Sequence, residues 1–308
     1  MSEHEAWCVE GETLLAVGQE PARAAALLTR AAEHGHARAA ERCAVLAACG
    51  VGRAPDWKLA AAYLGRAAEA GSAHAKEQWS LLSMPDDPLA AAAASWGDPA
   101  VLERWLQPPP RVPICEAPRI RSVAAFIPSA WCRWLIAAAE PRLCRARVYD
   151  ERTGAGILDP GRTGREAEFG ILEADLILLL VRARIAAAAG VPTAVLEPTR
   201  ILNYAPGQHF APHFDFIDPQ GVGMSAEIER KGQRIATFLV YLNDDYDGGE
   251  TEFVRAGVRY RGRVGDGLLF ANTRRSGEVD PASLHAGLPP DRGQKWVLSQ
   301  WMRSRGAA

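Results

Sequence analysis

The chain has 308 residues, of which 48% are hydrophobic and 23% charged, and 35 Lys+Arg against 37 Asp+Glu leave a formal net charge of −2. That composition excludes a low-complexity or natively disordered chain, and the near-neutral balance gives no global basic excess for nucleic acid or anionic lipid. The length predicts two domains with room for a sizeable core.

The start, Met1-Ser-Glu-His-Glu-Ala, is acidic and lacks the basic and apolar regions of an export signal. The most apolar run, Leu176 to Val181, is far short of the roughly 20 residues that span a bilayer, so no membrane partner is expected. Cysteines 8, 43, 49, 115, 132 and 144 form no Cys-x-x-Cys pair, which fits reduced thiols and predicts a cytoplasmic protein.

Sliding the sequence against itself reveals an internal repeat at an offset of 36 residues: Arg30-Ala-Ala-Glu-His-Gly35 returns as Arg66-Ala-Ala-Glu-Ala-Gly71. Ala24 falls over Ala60, Leu28 over Leu64 and Ala39 over Ala75, the small and apolar positions of a helical-pair array. Gly35 and Gly71 are expected to terminate helices. Residues 4–83 resemble the Sel-like branch of the tetratricopeptide superfamily, and Gly50-Val-Gly52 with Asp56-Trp-Lys fits its inter-helix loop. Two repeats are few for a free-standing array, so the next helices are expected to cap them.

Pro85-Asp-Asp-Pro88 and Pro108-Pro-Pro110 break the helical pattern. The predicted division is 1–84 helical repeats, 85–110 helical and Pro-rich linker, and 111–308 a second domain. Downstream, Arg119 to Phe126 reads as a strand, Ser129 to Ala139 as a helix capped by Ser129, and Glu173 to Ala189 as a longer helix. Strands are then predicted at Leu196 to Tyr204, Ile235 to Leu242, Thr251 to Phe253, Gly267 to Phe270 and Lys295 to Met302. The predicted class is α+β: a β-sandwich or jelly roll with buttressing helices, preceded by an all-α repeat module.

Within Ala211-Pro-His213-Phe-Asp215-Phe, two residues apart on a strand share a face, so His213 and Asp215 can grip one metal ion. His-x-Asp alone is weak, but His285 supplies a second imidazole and Lys295 follows ten residues later. Two imidazoles and one carboxylate make the facial triad of non-haem Fe(II) oxygenases, with open positions for a chelating 2-oxo acid and O₂. Lys295 would pair with the far carboxylate of 2-oxoglutarate. His209 has the parity of His213 only if Pro212 leaves the strand unbroken, and His34, His36 and His74 sit at repeat helix ends where solvent exposure is expected.

With these residues come Asn203-Tyr204-Ala-Pro-Gly-Gln208, Arg234-Ile-Ala-Thr237-Phe-Leu-Val-Tyr241, Gly248-Gly-Glu-Thr251, Gly265-x-Gly-Leu-Leu-Phe270 and Lys295-Trp296. In this order they make residues 115–303 resemble the prolyl 4-hydroxylase branch of the Fe(II)/2-oxoglutarate dioxygenases. The resemblance implies a double-stranded β-helix, Fe(II), 2-oxoglutarate, O₂ and often ascorbate, and a peptide or protein substrate hydroxylated at proline. It further implies that Tyr204 and polar side chains of the Arg234 strand line the 2-oxoglutarate pocket. Thr237 and Tyr241 share strand parity and are the candidates there. Trp301 matches a family tryptophan near the site, and Arg162 in Gly161-Arg-Thr-Gly164 stands where the family's substrate loop has Arg-Thr-Ser, with the serine lost. Halogenases related to the family lack the carboxylate, so Asp215 favours hydroxylation. The polar stretch 218–232 is long enough for a mobile lid, and a concave repeat surface would dock the polypeptide. The alternatives are hydroxylation of another residue or a small molecule, and an interaction protein that senses oxygen or 2-oxoglutarate without turnover.

Overall fold

A computed structural model describes residues 2–83, 99–149, 156–221 and 224–306. The predicted break at Pro85-Asp-Asp-Pro88 lies outside them. Contacts divide the chain into two compact units, residues 1–107 with 169–188, and 108–168 with 189–308.

In chain order the described helices are α1 (Glu3–Ala16), α2 (Pro21–Glu33), α3 (Ala37–Cys49), α4 (Trp57–Glu69), α5 (Ala73–Leu82), α6 (Pro99–Leu106), α7 (Ser129–Ala139), α8 (Leu176–Ala189) and α9 (Met224–Lys231). None is long and apolar enough to cross a membrane. In the first unit α2 and α3 recur as α4 and α5 at the sequence offset of 36 residues. Leu28 and Leu64 occupy equivalent positions at 0% and 1% exposure, and Ala24, Ala31, Ala60 and Ala67 are wholly buried. Alanine at those crossings lets helix backbones approach closely. Caps recur too: His36 Nδ1 accepts from Ala39 N–H at 3.2 Å and Ser72 Oγ from Ala75 N–H at 2.9 Å. Gly35 and Gly71 follow the C-caps of α2 and α4 with φ of +78° and +98°, the left-handed conformation that ends a helix.

Helix α8 groups with these N-terminal helices. Gln78 accepts from Leu176 N–H at 3.0 Å, and Trp105 Nε1 donates to Leu180 O at 2.8 Å, so residues from beyond the Pro-rich segment close the helical stack. α8 starts at Leu176 rather than Glu173, because Asp175 takes the capping position and accepts from Leu178 N–H at 2.8 Å.

The described strands are β1 (Val112–Glu116), β2 (Arg119–Val123), β3 (Cys144–Arg145), β4 (Val148–Tyr149), β5 (Gly156–Ile157), β6 (Arg165–Phe169), β7 (Thr199–Tyr204), β8 (Phe210–His213), β9 (Arg234–Tyr241), β10 (Asp247–Gly248), β11 (Thr251–Phe253), β12 (Val258–Tyr260), β13 (Gly267–Ala271), β14 (His285–Gly287), β15 (Pro290–Arg292) and β16 (Lys295–Arg303). An eight-stranded sheet runs β1-β2-β13-β9-β16-β7-β6-β3, and a four-stranded one β12-β11-β14-β8. Ile120, Leu239, Leu268, Phe270 and Val297 of the first meet Phe253 of the second, with the Phe253 and Phe270 rings 5.0 Å apart and edge-on. The class is α+β, with antiparallel sheets consistent with the expected jelly roll.

Two local readings change. Ser129 is the first residue of α7 rather than its cap; Pro128 occupies the cap position and contributes no side-chain bond. β8 ends at His213, so Asp215 lies in the bend beyond the strand.

Leu64→Ala is expected to cost about 2–5 kcal/mol, read as a lower denaturation midpoint by circular dichroism. Val17→Ala, at a position 59% exposed, should leave that midpoint in place.

Candidate active site

β8 and β14 are antiparallel neighbours, with His213 opposite His285 and Phe210 opposite Gly287. Two steps on β14 therefore match three on β8, a bulge that holds one extra residue at Ala211-Pro212. Proline suits that place because it has no N–H for the ladder. The bulge brings Phe210 onto the face of His213, where the two rings stack at 3.5 Å, and His209 is directed elsewhere, 3.4 Å from Thr163 Oγ1.

His213 and His285 each donate Nδ1–H to the backbone carbonyl two residues earlier, Ala211 at 2.9 Å and Ser283 at 3.0 Å. Each Nε2 lone pair is thereby aimed at Asp215, 3.6 Å from Oδ1 and Oδ2 respectively. The three ligand atoms lie within 4.8 Å of one another, and among the described residues no other His, Cys, Asp or Glu trio gathers in this way. Burial, reinforced by His285, pushes His213 down to about 3, so its imidazole is neutral and free to bind a metal. Burial alone would raise Asp215, yet its carboxyl is held below its usual value, and a 2.7 Å bond from Thr237 Oγ1 favours the charged form. Two imidazoles and a carboxylate on one side fit a divalent metal of the facial-triad class.

Lys295 begins the buried strand β16, opposite Tyr204 of β7. Its Nζ donates to Gly249 O at 2.7 Å, and no carboxylate pairs with it among the described residues. Burial pushes its pKa down to about 8. Tyr204, Leu239, Thr251 and Val297 share one cavity wall with Lys295 and the three metal-ligand candidates. Glu250 acts on this ammonium only from beyond ion-pair distance, and a buried ammonium so weakly compensated in that cavity favours an anionic ligand.

The remaining predicted residues take distinct places. Thr237 donates to Asp215 and accepts from Asn272 Nδ2 at 3.0 Å, so it faces the metal ligand and not the cavity wall. Tyr241 bonds Thr251 Oγ1 at 2.9 Å and lies behind that wall. Arg162 lines the cavity, because Gly161 O accepts from Ala211 N–H and Arg162 bridges to Phe210, seating the loop on β8. Its guanidinium lies 4.6 Å from the Phe210 ring centroid and pairs with Glu166 at 2.7 Å. Trp301 lines the cavity too, with the Arg234 and Arg200 guanidinium groups 3.8 and 5.0 Å from its ring centroid and its Nε1 buried without a partner. Phe210, Leu239 and Asn272 were not anticipated: period-two counting assigns Phe210 to the wrong face once a bulge intervenes, and Asn272 carries no motif.

A family model described as the 2OG-Fe(II) oxygenase superfamily matches residues 199–303, the span from β7 to β16 that holds all three metal-ligand candidates and Lys295. Prolyl 4-hydroxylase 1 of Arabidopsis thaliana is 32% identical over 206 residues, 62% of this chain and 71% of that protein. Prolyl 4-hydroxylase subunit alpha-1 of Rattus norvegicus is 32% identical over 191 residues, 62% of this chain and 35% of the subunit. Among solved structures, a 2OG complex of the viral collagen prolyl hydroxylase from Paramecium Bursaria Chlorella virus-1 aligns with TM-score 0.46 and 23% identity, covering 62% of this chain and 98% of that one.

Thr237→Val removes the hydroxyl that orients Asp215 and is expected to weaken Fe(II) binding about 10- to 100-fold, measured by metal titration. Thr237→Ser should restore it. Equal losses in both variants would mean that Thr237 acts through packing alone.

Proposed function

The chain belongs to the 2OG-Fe(II) oxygenase superfamily, and we propose that within it the protein hydroxylates proline in a peptide or protein. It is a 2-oxoglutarate-dependent dioxygenase whose cofactor and cosubstrates are Fe(II), 2-oxoglutarate and O₂. The observation that carries the reading is the sharing of one cavity by a His-Asp-His cluster and a buried lysine with no carboxylate at ion-pair distance among the described residues. The proline preference rests on the prolyl 4-hydroxylase relatives.

In this reading His213, Asp215 and His285 hold the iron, and Lys295 takes the far carboxylate of 2-oxoglutarate beside Tyr204. When bound, the iron would let O₂ oxidise 2-oxoglutarate to succinate and CO₂, with one oxygen atom entering succinate and the other a substrate C–H bond. The protein's part is placement. Thr237 sets the Asp215 carboxylate, backbone carbonyls set both imidazoles, and Leu239, Val297 and Phe210 make the cavity wall apolar, which limits water. Arg162 and Trp301 are the proposed substrate contacts, and Tyr241 supports the pocket through Thr251. We assign oxygenase chemistry to residues 108–168 and 189–308, and polypeptide docking to the Sel-like helical repeats. Ascorbate would serve as reductant. All six cysteines are free, which supports a reducing, cytoplasmic setting.

Incubation of the protein with Pro-containing peptides, iron and 2-oxoglutarate should give single-oxygen additions by mass spectrometry, matched by succinate and absent with Pro→Ala peptides. Equal oxygenation of the Pro→Ala peptides would favour another residue as target, and partner binding without turnover would favour a sensor.

The lysine sets a pH dependence. Below about pH 8 Lys295 is charged and holds the dianion; above it the ammonium loses its proton. Affinity for 2-oxoglutarate should therefore fall about tenfold per pH unit above that value, as read by calorimetry. In Lys295→Ala the affinity should be low throughout and flat across the same range; an unchanged affinity in that variant would remove Lys295 from the site.

A further inference from the structure

A second cavity, of about 570 Å³, lies within the oxygenase unit and away from the metal-ligand cluster. Its floor is the eight-stranded sheet. Ala271 of β13 pairs with Ala236 of β9, which pairs with Met302 of β16, and directly opposed residues share a face. Neighbouring Ile120, Leu268 and Phe270 belong to the core beneath the four-stranded sheet, so alternation directs this row to the other side. Alanines at two adjoining positions leave the space open.

Four arginines line the cavity, Arg111, Arg119, Arg121 and Arg275, with no carboxylate among the lining residues. Arg121 is neutralised by Glu116, which takes two bonds from it at 2.7 and 2.8 Å. Arg119 is different. It is half-buried, donates once to Thr273 O at 3.3 Å, and meets no carboxylate among the described residues. Arg275 is exposed and likewise meets none. Two guanidinium groups, Arg119 and Arg275, therefore border an apolar floor with no carboxylate partner among the described residues, an arrangement that favours an anion.

We propose that this cavity is a binding site for a small phosphorylated molecule, with Arg119 and Arg275 on the phosphate and the organic body on the Ala236–Ala271–Met302 floor. The volume falls in the range of small-molecule sites, roughly 300–1,000 Å³. Phosphate is favoured over a single carboxylate because donors arriving from separate elements match a tetrahedral, doubly charged oxyanion. The site is independent of the proline reading and of the iron ligands.

The test is calorimetry on the full chain loaded with Fe(II) and saturated with 2-oxoglutarate, so that Lys295 is occupied. The probes are adenosine monophosphate, glucose 6-phosphate and inorganic phosphate. At least one organic phosphate should bind at one site per chain and more tightly than inorganic phosphate. Arg119→Gln with Arg275→Gln should weaken it tenfold or more, and Lys295→Ala should leave it unchanged. A bulkier floor in Ala271→Leu should block the organic phosphates while sparing inorganic phosphate. No binding of any probe at millimolar concentration would overturn the proposal, as would binding lost in Lys295→Ala and retained in the arginine variants.

Discussion

One extra residue in β8 determines which side chains meet at the candidate iron site. In a regular antiparallel ladder His213 would share its face with Ala211 and His209. The bulge at Ala211-Pro212 replaces them with Phe210, whose ring covers the His213 imidazole. The strand then stops, and the bend that follows returns Asp215 to both Nε2 atoms. Because each imidazole is tied through Nδ1 to the backbone carbonyl two residues earlier, the cluster is set by backbone geometry. The loop bearing Arg162 docks on the same strand, so the bulge positions Arg162 together with the metal-ligand candidates.

β16 carries the opposite problem, since all nine of its residues are buried and several are polar. Two of them find several partners. Gln300 accepts from Thr199 at 2.7 Å and donates to Glu197 O at 2.6 Å, while Arg303 reaches Glu197, Glu227 and the Gly232 carbonyl. Lys295 receives one neutral carbonyl. Burying an ammonium so incompletely costs stability, and an arriving carboxylate offsets that cost. The same burial lowers its pKa, so the proposed anion affinity and its pH dependence would have one origin.

Much of this was legible in the sequence because it depends on short-range pattern. The 36-residue offset reappears in the helix starts of α2, α3, α4 and α5, and β11 has the predicted bounds. His213, Asp215, His285 and Lys295 were readable as a cluster because their residue types leave few other chemistries. Features set by non-local contacts were not readable. The capture of α8 by Gln78 and Trp105 spans about a hundred residues, and the bulge that selects Phe210 over His209 emerges only when β8 meets β14. Asn272 acquires meaning only from the pairing of β13 with β9, which sets it beside Thr237.

Within the polar stretch 218–232, helix α9 is tied to β16. Its polarity follows from ion pairing: Glu227 on α9 bonds Arg303 at 2.9 Å, and Gly232 O accepts from the same guanidinium at 2.9 Å. Arg303 also engages Glu197, which takes two bonds from Arg234 at 2.7 and 2.8 Å, and Arg234 in turn lies over Trp301. Burial would raise the Glu197 pKa, yet the two arginines hold it below its usual value, so the carboxylate stays charged and the network intact at neutral pH. Displacing α9 would leave a 7%-exposed Arg303 side chain short of two acceptors, a cost of a few kcal/mol. Helix α9 is thereby linked, through Arg303, Glu197 and Arg234, to the Trp301 indole that lines the site.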